Sequence, residues 1–127
     1  MHCTVPVLHD QGLKVWQESK ELAVQVYKIT DDGRFKADFG LRDQIRRSSV
    51  SIPSNIAEGD ERDTDKEAVR YLYIAKGSAA ELLTQLMVAH EIGYMDEPTF
   101  MKLEERCVAI SSMLSKLISA RSKTFSR

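Results

Sequence analysis

An all-α fold, an antiparallel up-down-up-down four-helix bundle, is what this chain of 127 residues predicts. Three observations lead there. Apolar residues recur at three- and four-residue spacing in four long segments, and no segment alternates with period two. The connections carry helix caps, glycine or proline. Helices joined by short connections pack antiparallel around one core, so residues 1–127 form a single domain, with residues 1–13 and 121–127 expected as mobile ends.

The first helix is expected from Lys14 to Thr30, where Val15, Leu22, Val26 and Ile29 recur at helical spacing. Trp16, Ala23 and Tyr27 widen its apolar face, and Trp16 and Tyr27 are read as core. Thr30-Asp-Asp-Gly33 ends it, and a loop containing Arg34, Phe35 and Lys36 follows. The second helix begins near Gly40 or Leu41, with Leu41, Ile45, Ile52 and Ile56 as its apolar stripe. Pro53 removes one hydrogen bond and crowds the carbonyl of Ser49. A kinked but continuous helix is expected, because both stripes keep phase across the proline; Gly59 ends it in a left-handed conformation.

Thr64-Asp-Lys-Glu67 has the form of a capping box and starts the third helix, with Asp63 and Asp65 suiting its positive end. Ala68, Leu72, Ala75, Ala79, Leu82, Leu86 and Ala89 carry the period to Ile92, where Gly93 stops it. Such a segment makes a rod of roughly 42 Å. Asp96-Glu-Pro98 starts the fourth helix. Its seam of Phe100, Leu103, Cys107, Ile110, Leu114, Leu117 and Arg121 favours shallow-angle packing.

Composition narrows the function classes. A content of 43% hydrophobic and 29% charged residues fits a globular domain rather than a disordered segment. No apolar run approaches a membrane span, and the N-terminal residues lack the pattern of a secretory signal, so a cytoplasmic protein is expected. Cys3 and Cys107 are read as free thiols. The formal net charge of −1 argues against a uniformly basic nucleic-acid binder. Charge is nevertheless uneven: acids crowd between Glu58 and Glu67, and the stretch from Lys116 to Arg127 holds four basic residues and no acid.

No catalytic signature survives inspection. His90-Glu91 opens like a zinc-protease helix, but Tyr94 stands where the second histidine belongs. His2, Cys3 and His9 are metal-capable residues in an end segment and are read as no site, and neither metal nor cofactor is expected. Ser48, Ser49 and Ser51 lack a histidine nearby in sequence. A non-enzyme is expected.

The polar residues of the second helix are ordered. Gln44, Arg47, Ser51, Asn55 and Glu58 fall in one stripe, about a quarter-turn from the apolar one. Ser78, Glu81 and Gln85 form a similar stripe on the third helix. The two are expected to face each other, Arg47 meeting Glu58 or Glu81, and Asn55 bonding Ser78 or the backbone freed by Pro53. Three uses are open: fixing helix register, lining a ligand or RNA surface, or forming a subunit interface. Gly77 in the third helix costs about 1 kcal/mol relative to alanine, which close approach of another helix would offset. Arg42, Arg46, Arg121 and Lys123 are candidate phosphate contacts, the alternative being an ordinary solvated surface.

These residues carry a resemblance. Leu41, Gln44-Ile-Arg-Arg47, Ser51-Ile-Pro-Ser-Asn-Ile-Ala-Glu-Gly59, Arg62, Tyr71-Leu72 and Ile74-Ala75, Gly77-Ser78, Glu81, Gln85-Leu86 and Ile92-Gly-Tyr94 closely resemble the bacterial four-helix-bundle proteins encoded in intervening sequences of the 23S ribosomal RNA gene. Trp16, Leu22 and Tyr27 belong to the same pattern. The resemblance implies a homopentameric ring with an RNA-related role and no established enzyme activity. A related branch comprises accessory proteins of diversity-generating retroelements, which bind a reverse transcriptase. That branch is strongly basic, unlike this chain. It supplies the alternative of a scaffold for a partner protein.

Overall fold

The computed structural model describes residues 10–125, which form helices α1 (Asp10–Thr30), α2 (Gly33–Ala37), α3 (Phe39–Asp60), α4 (Asp65–Glu91) and α5 (Glu97–Ser122), with no strand among them. The fold is all-α. Helix α3 packs on α4, α4 on α5, and α1 closes the circuit against both α3 and α5. The predicted apolar stripes meet inside it. Leu22, Ile45, Ile52, Ile56, Leu82, Leu86, Leu103, Ile110 and Leu114 are essentially inaccessible. Burial of each such side chain contributes about 1.5–3 kcal/mol.

Helix starts follow the expected chemistry. The Thr64 hydroxyl accepts from the Glu67 amide at 3.1 Å, though the Glu67 side chain does not return a bond to the Thr64 amide to complete the box. An Asp96 carboxylate oxygen accepts from the Thr99 amide at 2.8 Å. Thr99, through its side chain and its backbone, lowers the Asp96 pKa from the ordinary carboxylate value. Gly93, at φ +85°, ends α4 as anticipated.

Several expectations are corrected. Helix α1 begins about one turn before Lys14. The segment after it is not all loop. Gly33 at φ +59° makes the turn, the Asp32 side chain accepts from its amide at 2.7 Å, and α2 delivers Phe35 to the core, 1% exposed. One apolar residue in Arg34-Phe35-Lys36 is too little for a helical period to show. The ring of Phe35 meets that of Tyr94 edge-on, centroids 5.2 Å apart. Tyr94 also donates its hydroxyl to Asp38 at 2.9 Å, while the other Asp38 oxygen accepts from the Leu41 amide. One carboxylate thus starts α3 and holds the turn after α4. Accepting this bond, it raises the Tyr94 pKa, burial adding to the effect. Tyr27, expected in the core, is 43% exposed.

The two informative glycines exchange roles. Gly59 lies inside α3 without the left-handed conformation. A Cβ there would stand 3.1 Å from both the Ala68 carbonyl oxygen and the Tyr71 Cβ, so this glycine permits the close approach of α3 and α4. Gly77 was expected to do that, yet it is exposed, and a Cβ on it would meet nothing within 4 Å.

Candidate functional site

The seam between α3 and α4 carries the ordered polar residues. Ser51 and Ser78 share a hydroxyl–hydroxyl bond of 2.8 Å across it. Asn55 donates from Nδ2 to the Ser51 carbonyl at 2.8 Å and to the Ser51 hydroxyl at 3.0 Å. Asn55 therefore reaches Ser78 only through Ser51, and it does not serve the Ser49 carbonyl crowded by Pro53. One turn away, Ser48 donates to Glu81 Oε1 at 2.8 Å. Moving three residues back along α3 moves the contact three residues forward along α4. The hydroxyl of Ser48 is closed to any substrate, the residue being 3% exposed.

The rest of the stripe does not close against α4. Glu58 pairs with Arg62 one turn along at 2.9 Å, not with Arg47. Gln44 and Arg47 are exposed and make no hydrogen bond or ion pair among the described residues. The geometric reason is position on the cylinder. Ser48 and Ile52 occupy the part of α3 turned to α4, so the stripe running through Gln44, Arg47 and Glu58 lies on the outer edge of that contact. Gln85 Oε1, one turn past Glu81, is buried without a hydrogen-bond partner among the described residues.

Three of the four candidate phosphate contacts are engaged inside the chain. Arg46 donates from Nε to the Thr30 hydroxyl at 2.8 Å and from Nη2 to the Tyr27 carbonyl at 3.3 Å, with its guanidinium 4.5 Å from the Tyr27 ring centroid. It closes the C-terminal end of α1, where carbonyls lack partners and a cation is favoured. Arg42 lies over Phe39 at 4.7 Å and touches Asp43 and the Lys36 carbonyl, each at 3.4 Å. Arg121 reaches Asp65 at 3.7 Å. Lys123 is exposed and free of such partners among the described residues. Arg121 borders Ile56 and Gly59, about 20 Å along α3 from Arg46. The four do not build one patch on a single chain.

Other features escaped the sequence reading. Arg106 joins α5 to α1 through Gln25 at 2.8 Å and Glu21 at 3.3 Å. Its spacing within α5 carried no hint of partners so distant in sequence. The outward side of α4 holds Ile74, Gly77, Glu81 and Val88 on one face, with Ile92 at the helix end. Ile74, Val88 and Ile92 are between 45% and 48% exposed. Burial pushes the Cys107 thiol up to about 12, so it stays protonated and inert at neutral pH. No group of three or more metal-capable side chains gathers among the described residues, and none of their helices is long and apolar enough to cross a membrane. His2, Cys3 and His9 lie outside the described residues.

Fold and surface together define a helical-bundle protein with a half-buried polar seam and an outward α4 face that exposes Ile74, Val88 and Ile92. Residues 11–116 match the family described as 23S rRNA-intervening sequence protein, and the chain belongs to that family. No curated protein matches it. Its fold is similar to that of a protein of unknown function from the S23 ribosomal protein family of Bacteroides thetaiotaomicron. That likeness has a TM-score of 0.81 at 23% identity, covering 86% of this chain and 98% of the other.

Proposed function

We propose that this chain is a non-catalytic cytoplasmic bundle that self-associates, in a ring of five, and that the assembled form associates with RNA. The observation that carries the reading is the outward face of α4. Gly77 there costs about 1 kcal/mol of helix propensity with no neighbour among the described residues to justify it. Exposed Ile74 lies one turn before it, and exposed Val88 and Ile92 lie about 16 and 22 Å further along the same side. A second copy's helix lying close over Gly77 accounts for both the missing side chain and the exposed apolar residues. The opposed register of the Ser51–Ser78 and Ser48–Glu81 contacts supports the up-down-up-down order.

RNA association is supported by family membership and by cyclic symmetry, which repeats each free basic residue around the assembly. The alternative, a scaffold for a different protein, uses the same face for another occupant.

Light scattering on the purified chain, alone and with single-stranded RNA, tests the reading. A particle several times 14.4 kDa that co-elutes with the RNA is expected. A 14.4-kDa particle that leaves the RNA unshifted contradicts it.

A further inference from the structure

The cleft between α4 and α5 has no role in the helix packing described above. It is open, about 420 Å³ in volume, and Tyr73, Lys76, Ser115, Ser119, Ser122 and Lys123 line it above a floor of Ile118. No carboxylate is among its lining residues, in a chain of net charge −1. The nearby acid Asp65 is held by Arg121. Neither lysine side chain has an ion-pair or hydrogen-bond partner among the described residues, as is true of the other described lysines; what sets these two apart is that they line one cleft without a carboxylate.

The three serines are also unengaged. A helical serine or threonine ordinarily satisfies its hydroxyl on a carbonyl three or four residues back. Ser19, Thr30, Ser49 and Thr84 do so here. Ser115, Ser119 and Ser122 make no such bond, as Ser54, Ser111 and Ser112 outside the cleft also do not. Their spacing of four and then three residues sets them along one face of α5, spanning about 10 Å. Tyr73, 57% exposed, stands at the α4 edge of the cleft with its ring accessible.

We infer that this cleft is a binding site for a single-stranded polyribonucleotide. Lys76 and Lys123 contact successive phosphates, the serine hydroxyls donate to phosphate or ribose oxygens, and Tyr73 stacks on an unpaired base. The inference rests on the RNA-associated reading above and moves its contacts away from Arg42 and Arg46. Two free ammonium groups without a carboxylate beside them match a polyanion. A row of unpaired hydroxyls matches an acceptor-rich backbone, and an exposed aromatic matches single-stranded rather than duplex nucleic acid.

Fluorescence anisotropy with a labelled single-stranded RNA octanucleotide, titrated with salt, tests the site. Lys76→Ala/Lys123→Ala is expected to weaken binding roughly tenfold and to flatten the logarithmic salt dependence by about 1.4, since each lost phosphate contact in a single strand removes about 0.7. Tyr73→Ser is expected to weaken it about fivefold or more without altering the salt slope. Lys28→Ala/Lys102→Ala, which removes the same charge from exposed positions elsewhere, keeps wild-type binding. Wild-type binding that the cleft variants leave equal to this control overturns the site alone. Absence of any wild-type binding overturns both the site and the RNA-associated reading.

Discussion

Ser48 shows why residue-scale roles are harder to read than residue types. It stands in sequence beside Arg47, the more conspicuous residue, yet it is the hydroxyl that meets Glu81. A 100° step separates neighbours on a helix, so it decides which of the two faces α4. Glu81 itself is exposed, which screens the pair and limits its worth to about 1 kcal/mol. A double-mutant cycle of Ser48→Ala and Glu81→Gln, followed by chemical denaturation, should give a coupling of about 0.5–1 kcal/mol. Strictly additive losses would refute the pairing. Tyr94 supplies a pH-dependent counterpart. Its folded pKa lies above the ordinary tyrosine value of 10.0, so the bond to Asp38 contributes in full below that value. The contribution is lost as pH rises through the folded pKa.

At the scale of elements, the four long helices and most of their core residues were legible, because the three- and four-residue periods persist for several turns. The caps at Thr64 and Asp96 were legible too, since capping depends on a few neighbouring residues. Helix α2 was not. Its docking rests on Phe35 alone meeting Tyr94, a contact between segments far apart in sequence. The glycines were misassigned for a related reason. Sequence marks a position where a side chain is missing but not what lies opposite it. Gly59→Ala should therefore destabilise the fold by about 1–3 kcal/mol, seen as a lower midpoint in denaturant, because the Ala68 backbone and the Tyr71 Cβ cannot yield like a side-chain tip. An unchanged or higher midpoint would mean that α3 and α4 do not approach as closely as described. Pro53 stays inside a continuous α3, as its undisturbed stripes implied.

On the scale of the whole molecule, the polar stripe divides into two parts with different duties. Ser48, Ser51, Ser78 and Glu81 join α3 to α4, with Asn55 bracing Ser51 from within α3, while Gln44 and Arg47 are exposed. Sequence order alone could not make that division, since it depends on how far around each helix the contact extends. The central proposal is that Gly77 serves a contact between copies rather than within one. Light scattering of Gly77→Leu, paired with its thermal melt, tests this most directly. The bulkier residue restores roughly 1 kcal/mol of helix propensity where the described residues leave open space, so the variant keeps its helices and melts no lower as a single chain than the dissociated wild type. The account predicts that it runs at 14.4 kDa while the wild type runs as a multimer. A Gly77→Leu variant that assembles as the wild type does would contradict it.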